Sequence, residues 1–127
     1  MLIISLLTIS SFSFGAITCP TGTQTMKTCV STPKDGDGKI ARAVNSIAIC
    51  EQGNNSIMVL EKDGDSDNSV AKVEERMGGT TYSFSDGNTM VALSIPTGMR
   101  SSKKTVARFT ISFPKANVSN SSTFTCK

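Results

Sequence analysis

Between Asn45 and Lys62 the chain reads as two apolar runs on either side of Gly53-Asn54-Asn55. Ile47, Ala48, Ile49 and Cys50 put apolar side chains on both faces of the first run, and Ile57, Met58, Val59 and Leu60 do the same in the second. Successive residues of a strand point to opposite faces, so strands apolar at every position are buried from both sides. This hairpin therefore belongs inside a sheet and away from any edge. Within it, Cys50 is the one cysteine in a strongly apolar setting.

The second half of the chain alternates instead. Thr80, Tyr82 and Phe84 share one face, Asp86-Gly87 is a strong two-residue turn signal, and Val91, Leu93 and Ile95 share the matching face beyond it. Thr105, Ala107, Phe109, Ile111 and Phe113 repeat the pattern until Pro114 ends it, and Ser121 to Lys127 is a closing strand with Phe124 and Cys126 inward. Upstream, Thr23 to Val30 makes a weaker, peripheral strand, with Met26, Thr28 and Val30 on one side. Ile40 to Asn45 reads as an early start of the long strand. Asp63 to Asn68 reads as a polar turn, and Ser69 to Met77 fits either a short helix or a charged strand; its strand neighbours favour the strand. The expectation is an all-β fold, a small antiparallel meander of seven or eight strands, closed as a barrel or folded as a sandwich and stabilised by disulfides. A barrel has the advantage of leaving no edges.

Residues 1–16 stand apart. They carry no charge, run almost wholly apolar, and end in small residues, Ser13 and Gly15, that suit signal peptidase cleavage near Ala16 or Ile17. They are too few to span a bilayer, which takes about 20 apolar residues, and no Lys or Arg precedes them as a signal peptide ordinarily has. The reading is a signal peptide over 1–16 and a single exported β domain over 17–127, secreted or periplasmic, with no transmembrane segment in the mature chain.

Four cysteines in such a chain predict two disulfides, since the spacings contain no CxxC and there is no histidine for a zinc site. Pairing the two cysteines expected in the core gives Cys50 with Cys126, and leaves Cys19 with Cys29 as a short local loop. The absence of histidine also rules out Ser-His-Asp and Cys-His catalysis. Carboxylate pairs remain, Glu51 with Glu61 across the central hairpin or the adjacent Glu74 and Glu75, but neighbours on a strand face opposite ways. A net charge of +3 and few aromatic residues argue against nucleic acid as a partner.

Two motifs deserve a test against structure. Asp63, Asp65 and Asp67, followed by Ser69 and Glu74, place oxygen ligands at positions 1, 3, 5, 7 and 12 of a segment that resembles an EF-hand calcium loop over those twelve residues only. Arg100, Lys103, Lys104 and Arg108 form a basic run suited to an anionic partner surface. The functional expectation is an exported, non-enzymatic β module without a cofactor that binds or inhibits an envelope or extracellular macromolecule. The alternatives are a calcium-dependent structural or adhesion module built on the 63–74 segment and, third, a carboxylate-based enzyme. In size and strand pattern the chain is similar to bacterial lysozyme inhibitors, a likeness of architecture that implies a small periplasmic barrel acting as an inhibitor or envelope accessory.

Overall fold

The computed structural model describes residues 17–97 and 105–127; the expected leader lies outside them, as do Arg100, Lys103 and Lys104. Eight strands, β1 (Gln24–Ser31), β2 (Ser46–Gln52), β3 (Asn55–Lys62), β4 (Asp65–Arg76), β5 (Gly79–Asp86), β6 (Thr89–Pro96), β7 (Thr105–Phe113) and β8 (Val118–Cys126), form one closed antiparallel barrel. Each strand pairs with its sequence neighbours, and β8 returns to β1. The expected meander is therefore a barrel and not a sandwich.

Tight turns make this possible. Asp63 and Gly64 both take positive φ, 53° and 89°, which matches the twist of the strands they join. Gly87 (φ 62°) opens the next such loop, one residue later than the Asp86-Gly87 signal suggests, because Asp86 is already paired with Thr89. Antiparallel alternation then puts the turns at 63–64, 87–88 and 114–117 at one end of the barrel, together with the long connection from β1 to β2.

That connection departs from expectation. Lys39–Arg42 is a four-residue helix, α1, where an extended strand is predicted from Ile40. Ala41 and Val44 are buried against the lumen cluster, and the Ala41 N–H donates to Asn120 Oδ1 at 3.0 Å. Gly38 permits this, since any Cβ there would collide with the Asn120 amide. The 69–77 segment is a strand as favoured, but β4 begins already at Asp65, so Asp65 and Asp67 belong to its ladder opposite Lys62 and Leu60. Asp has poor intrinsic β preference; pairing with the strongly apolar β3 overrides it.

The lumen is filled in its middle by Ile47, Ile49, Met58, Leu93, Phe109 and Phe124, all fully buried. The Phe109 and Phe124 rings meet edge to face, with centroids 5.5 Å apart and planes at 65°. The other face of the central hairpin is also covered, as its sequence requires: Ala48, Cys50, Ile57 and Val59 form a second cluster on the outside of the wall, under Ile17 and Cys19.

This parity overturns the expected disulfides. Ile47 and Ile49 point into the lumen, so Cys50 points out and bonds Cys19, with Cα atoms 5.8 Å apart. Cys29 and Cys126 point in and bond each other. Neither Cys50–Cys126 nor Cys19–Cys29 forms. On β1 the buried face is that of Cys29, while Met26 and Val30 are about half exposed. Far from peripheral, β1 is the strand on which the barrel closes.

The closing seam is short. β1 and β8 share three residue pairs, Cys29 with Cys126, Val30 with Thr125 and Ser31 with Phe124. Thr28 and Lys127 exchange backbone hydrogen bonds of 3.3 and 3.0 Å alongside. Cys29 and Cys126 thus form a non-hydrogen-bonded pair, the kind in which facing side chains approach closest. Past Ser31 the connection takes over from the strand. Thr32 N–H donates to the Thr123 carbonyl (3.0 Å), Gly38 N–H to the Ser121 carbonyl (2.8 Å), and Thr123 N–H to Asp37 Oδ2 (3.0 Å). The Asp37 carboxylate stands where a strand carbonyl would otherwise accept.

Candidate binding site

An eight-stranded barrel has an interior just wide enough to be filled by side chains or to hold one small ligand. Here the filling stops short of the end that carries α1. The last inward residues of β3 are Leu60 and Lys62, facing Asp67 and Asp65 of β4; those of β5 are Phe84 and Asp86, facing Val91 and Thr89 of β6; β7 contributes Ile111 and Phe113. With Ile40 and Val44 of the α1 segment, they enclose an open-mouthed cavity of about 790 Å³. That is within the range of small-molecule sites, and mouths of barrels are among their usual places.

The cavity is built in two tiers. Its floor is apolar: Val91 and Ile111 are buried, and Leu60, Phe84 and Phe113 are partly buried against the lumen core. Its rim is charged: Asp65, Asp67 and Asp86 are exposed there, with Lys62 the cation among them. Three carboxylates against one ammonium make the rim formally −2, in a chain whose sum is +3.

A second depression, about 540 Å³, lies on the outer wall between the β4–β5 turn and the loop before α1, and includes Lys34, Arg76 and Arg108. It is smaller and more open, and both of its arginines are engaged. Arg108 Nη1 sits 3.2 Å from Asp37 Oδ1 and donates also to Thr123 Oγ1 (3.1 Å), while Arg76 lies 3.7 Å from Glu74. Asp37 is held by the Lys34 N–H (2.8 Å) above all, then by the Thr123 N–H and hydroxyl and by Arg108; these donors favour the charged carboxylate over its burial and bring its pKa down to about 2. The group fastens the seam. Of the predicted basic run, Arg108 is the described member, and its charge is spent on Asp37.

The calcium motif is dispersed by the same strand that carries it. Asp63 is in the turn, while Asp65, Asp67 and Ser69 project inward along β4. Glu74 lies on the outer face, where Lys72 (3.8 Å) and Arg76 (3.7 Å) flank its carboxylate. Nine extended residues separate it from Asp65 by about 30 Å. Among the described residues no three Asp, Glu, Cys or His side chains come together to hold a metal ion.

The carboxylate pairs fare alike. Glu51 pairs with Ser56 and Glu61 with Ser46, five ladder steps and about 17 Å apart, and Glu74 and Glu75 face opposite ways. The barrel instead turns Glu51 and Glu75 toward Tyr82 at the end away from α1: burial raises the Tyr82 pKa, and the two carboxylates raise it further. No sequence signal links these three residues, because the register of four strands brings them together. The mouth is likewise invisible in sequence, since Asp65 and Asp86 reach one cavity only once β4 and β5 take their places in the barrel. Searches of protein-family models, curated proteins and solved structures found no match to the chain.

Proposed function

We propose that this chain is an exported, non-enzymatic binding module that acts in the periplasm or outside the cell and takes hold of its partner in the open mouth of the barrel. Two disulfides fit an oxidising compartment, and an apolar leader that ends in small residues supports export. The observation that carries the reading of the site is the cavity of about 790 Å³ whose floor is apolar and whose rim is charged. Pockets that bind by burial combine apolar walls with a few polar groups that set orientation. The outer groove is smaller and more open, and Arg76 and Arg108 there already face carboxylates.

Titration with an uncharged amphiphile, octyl glucoside below its micellar concentration, tests the site by amide chemical shifts. Saturable shifts confined to 40–44, 60–69, 84–91 and 111–113 are the expected result. Shifts spread evenly over the outer wall, or none at all, would remove the mouth from consideration. Intact mass of the exported protein, beginning near Ala16 or Ile17, checks the route of export.

A further inference from the structure

We infer that the ligand of the mouth is a small amphipathic cation, an alkyl or aryl body carrying an ammonium or guanidinium head. The inference rests on the reading of the mouth as the binding site and adds to it the chemistry of the occupant. Leu60, Phe84, Phe113 and the buried Val91 offer a floor to an apolar body, whose transfer from water is favourable in proportion to the area covered. Above that floor, Asp65, Asp67 and Asp86 line the β4–β5 side of the opening. The three carboxylates come from two walls of the barrel, Asp65 and Asp67 on β4 and Asp86 on β5, and do not converge as a chelating set. They act as a field along one side of the opening, which suits a bulky organic cation whose charge lies at one end of an apolar body better than a bare metal ion. Low-dielectric walls lined by one sign of charge focus that field.

The chain as a whole opposes this choice. Its net charge of +3 draws anions and repels cations at long range, so a preference of the mouth for cations has to come from the rim itself. Lys62 is the residue that limits it. A bound cation approaches three acidic side chains and one ammonium, and removing that ammonium strengthens the attraction.

Three octyl amphiphiles with the same tail separate the possibilities: octyltrimethylammonium, octyl glucoside and octyl sulfate, each titrated below its micellar concentration into the mature protein at low salt and at about 0.15 M salt, where charges are screened beyond about 8 Å. Amide shifts locate each probe. The expected order at the mouth is cation tightest, by roughly tenfold over the uncharged probe at low salt and less at higher salt. Asp65→Asn/Asp67→Asn/Asp86→Asn, checked for an unchanged amide spectrum elsewhere, brings the cation down to the uncharged level, and Lys62→Ala, which leaves every carboxylate in place, tightens it a few-fold. Equal affinities for the cation and octyl glucoside at the mouth would overturn the cationic inference and leave the site standing. Tightest binding of octyl sulfate there would overturn it too, and failure of all three probes to shift the mouth would overturn both the inference and the site.

Discussion

The closing seam and the central hairpin are neighbours in the same wall, yet they are held by opposite means. β2 and β3 share seven residue pairs and are apolar on both faces, with the lumen core on one side and the Ile17–Cys19 cover on the other. β1 and β8 share three pairs, and their hold is completed by a covalent bond inside the barrel and by the Asp37 carboxylate in the ladder. The hairpin is stable because it is buried; the seam is stable because it is fastened. The two disulfides follow this division, one joining the strands of the seam, the other pinning a cover over a hairpin that pairs without it.

Removing the seam bond is expected to have the largest effect. Cys29→Ala/Cys126→Ala releases a loop of 97 residues, worth about 4.7 kcal/mol in the chain-entropy model. That is a large share of the about 5 to 15 kcal/mol that holds a domain together, so denaturant titration should show a steep fall in the midpoint, with exchange protection lost first in β1 and β8. The outer bridge spans 31 residues and is worth about 3.7 kcal/mol on the same model. Cys19→Ala/Cys50→Ala should lower the midpoint less and leave the barrel amides protected in the native state, with new exposure confined to Ala48, Ile57 and Val59. Equal damage to β1 and β8 from both double variants would erase the distinction between fastened and buried.

Acid sharpens it further. The Asp37 pKa is lowered from 3.8 to about 2 on folding, so its contribution is complete above about pH 4 and disappears as pH falls through about 2. Wild-type stability should decline across that window, and Asp37→Asn should be less stable at neutral pH and flatter across it, with losses of exchange protection at Thr123 and Lys34. The smallest effect belongs to the exposed outer face of β4: Glu74→Gln, which breaks only surface ion pairs to Lys72 and Arg76, should cost under about 0.5 kcal/mol.

Strand order, the both-faced hairpin and the inward residues from Tyr82 to Cys126 were legible because period-two alternation reports a wet face and a dry one. Where both faces are dry that signal vanishes, and with it the direction of Cys50; one residue of parity separates Ile49 in the lumen from Cys50 outside it. On β1 the sparse apolar residues, Met26 and Val30, mark the exposed face and conceal the inward Cys29. The acidic start of β4 reads as a turn because Asp disfavours strands, although its partner in β3 forces the pairing. The mouth needs β3 to β7 and α1 at once, which no local pattern encodes.

Closure has a consequence in time. Every pairing but one joins neighbours along the chain and can form as the chain collapses, whereas β1 meets β8 only after the intervening hairpins have curled round, and distant contacts of that kind make β-barrels slow to form. Before then Cys29 has no native partner within reach. Cys19, ten residues away, is the thiol it meets most often in an unfolded chain, and a Cys19–Cys29 bond made early would withhold both cysteines from their proper partners. Oxidative refolding should therefore pass through that short-loop species, and a thiol–disulfide isomerase should accelerate recovery by undoing it. The shortest loop, which sequence distance alone favours, is the trap from which this barrel has to escape.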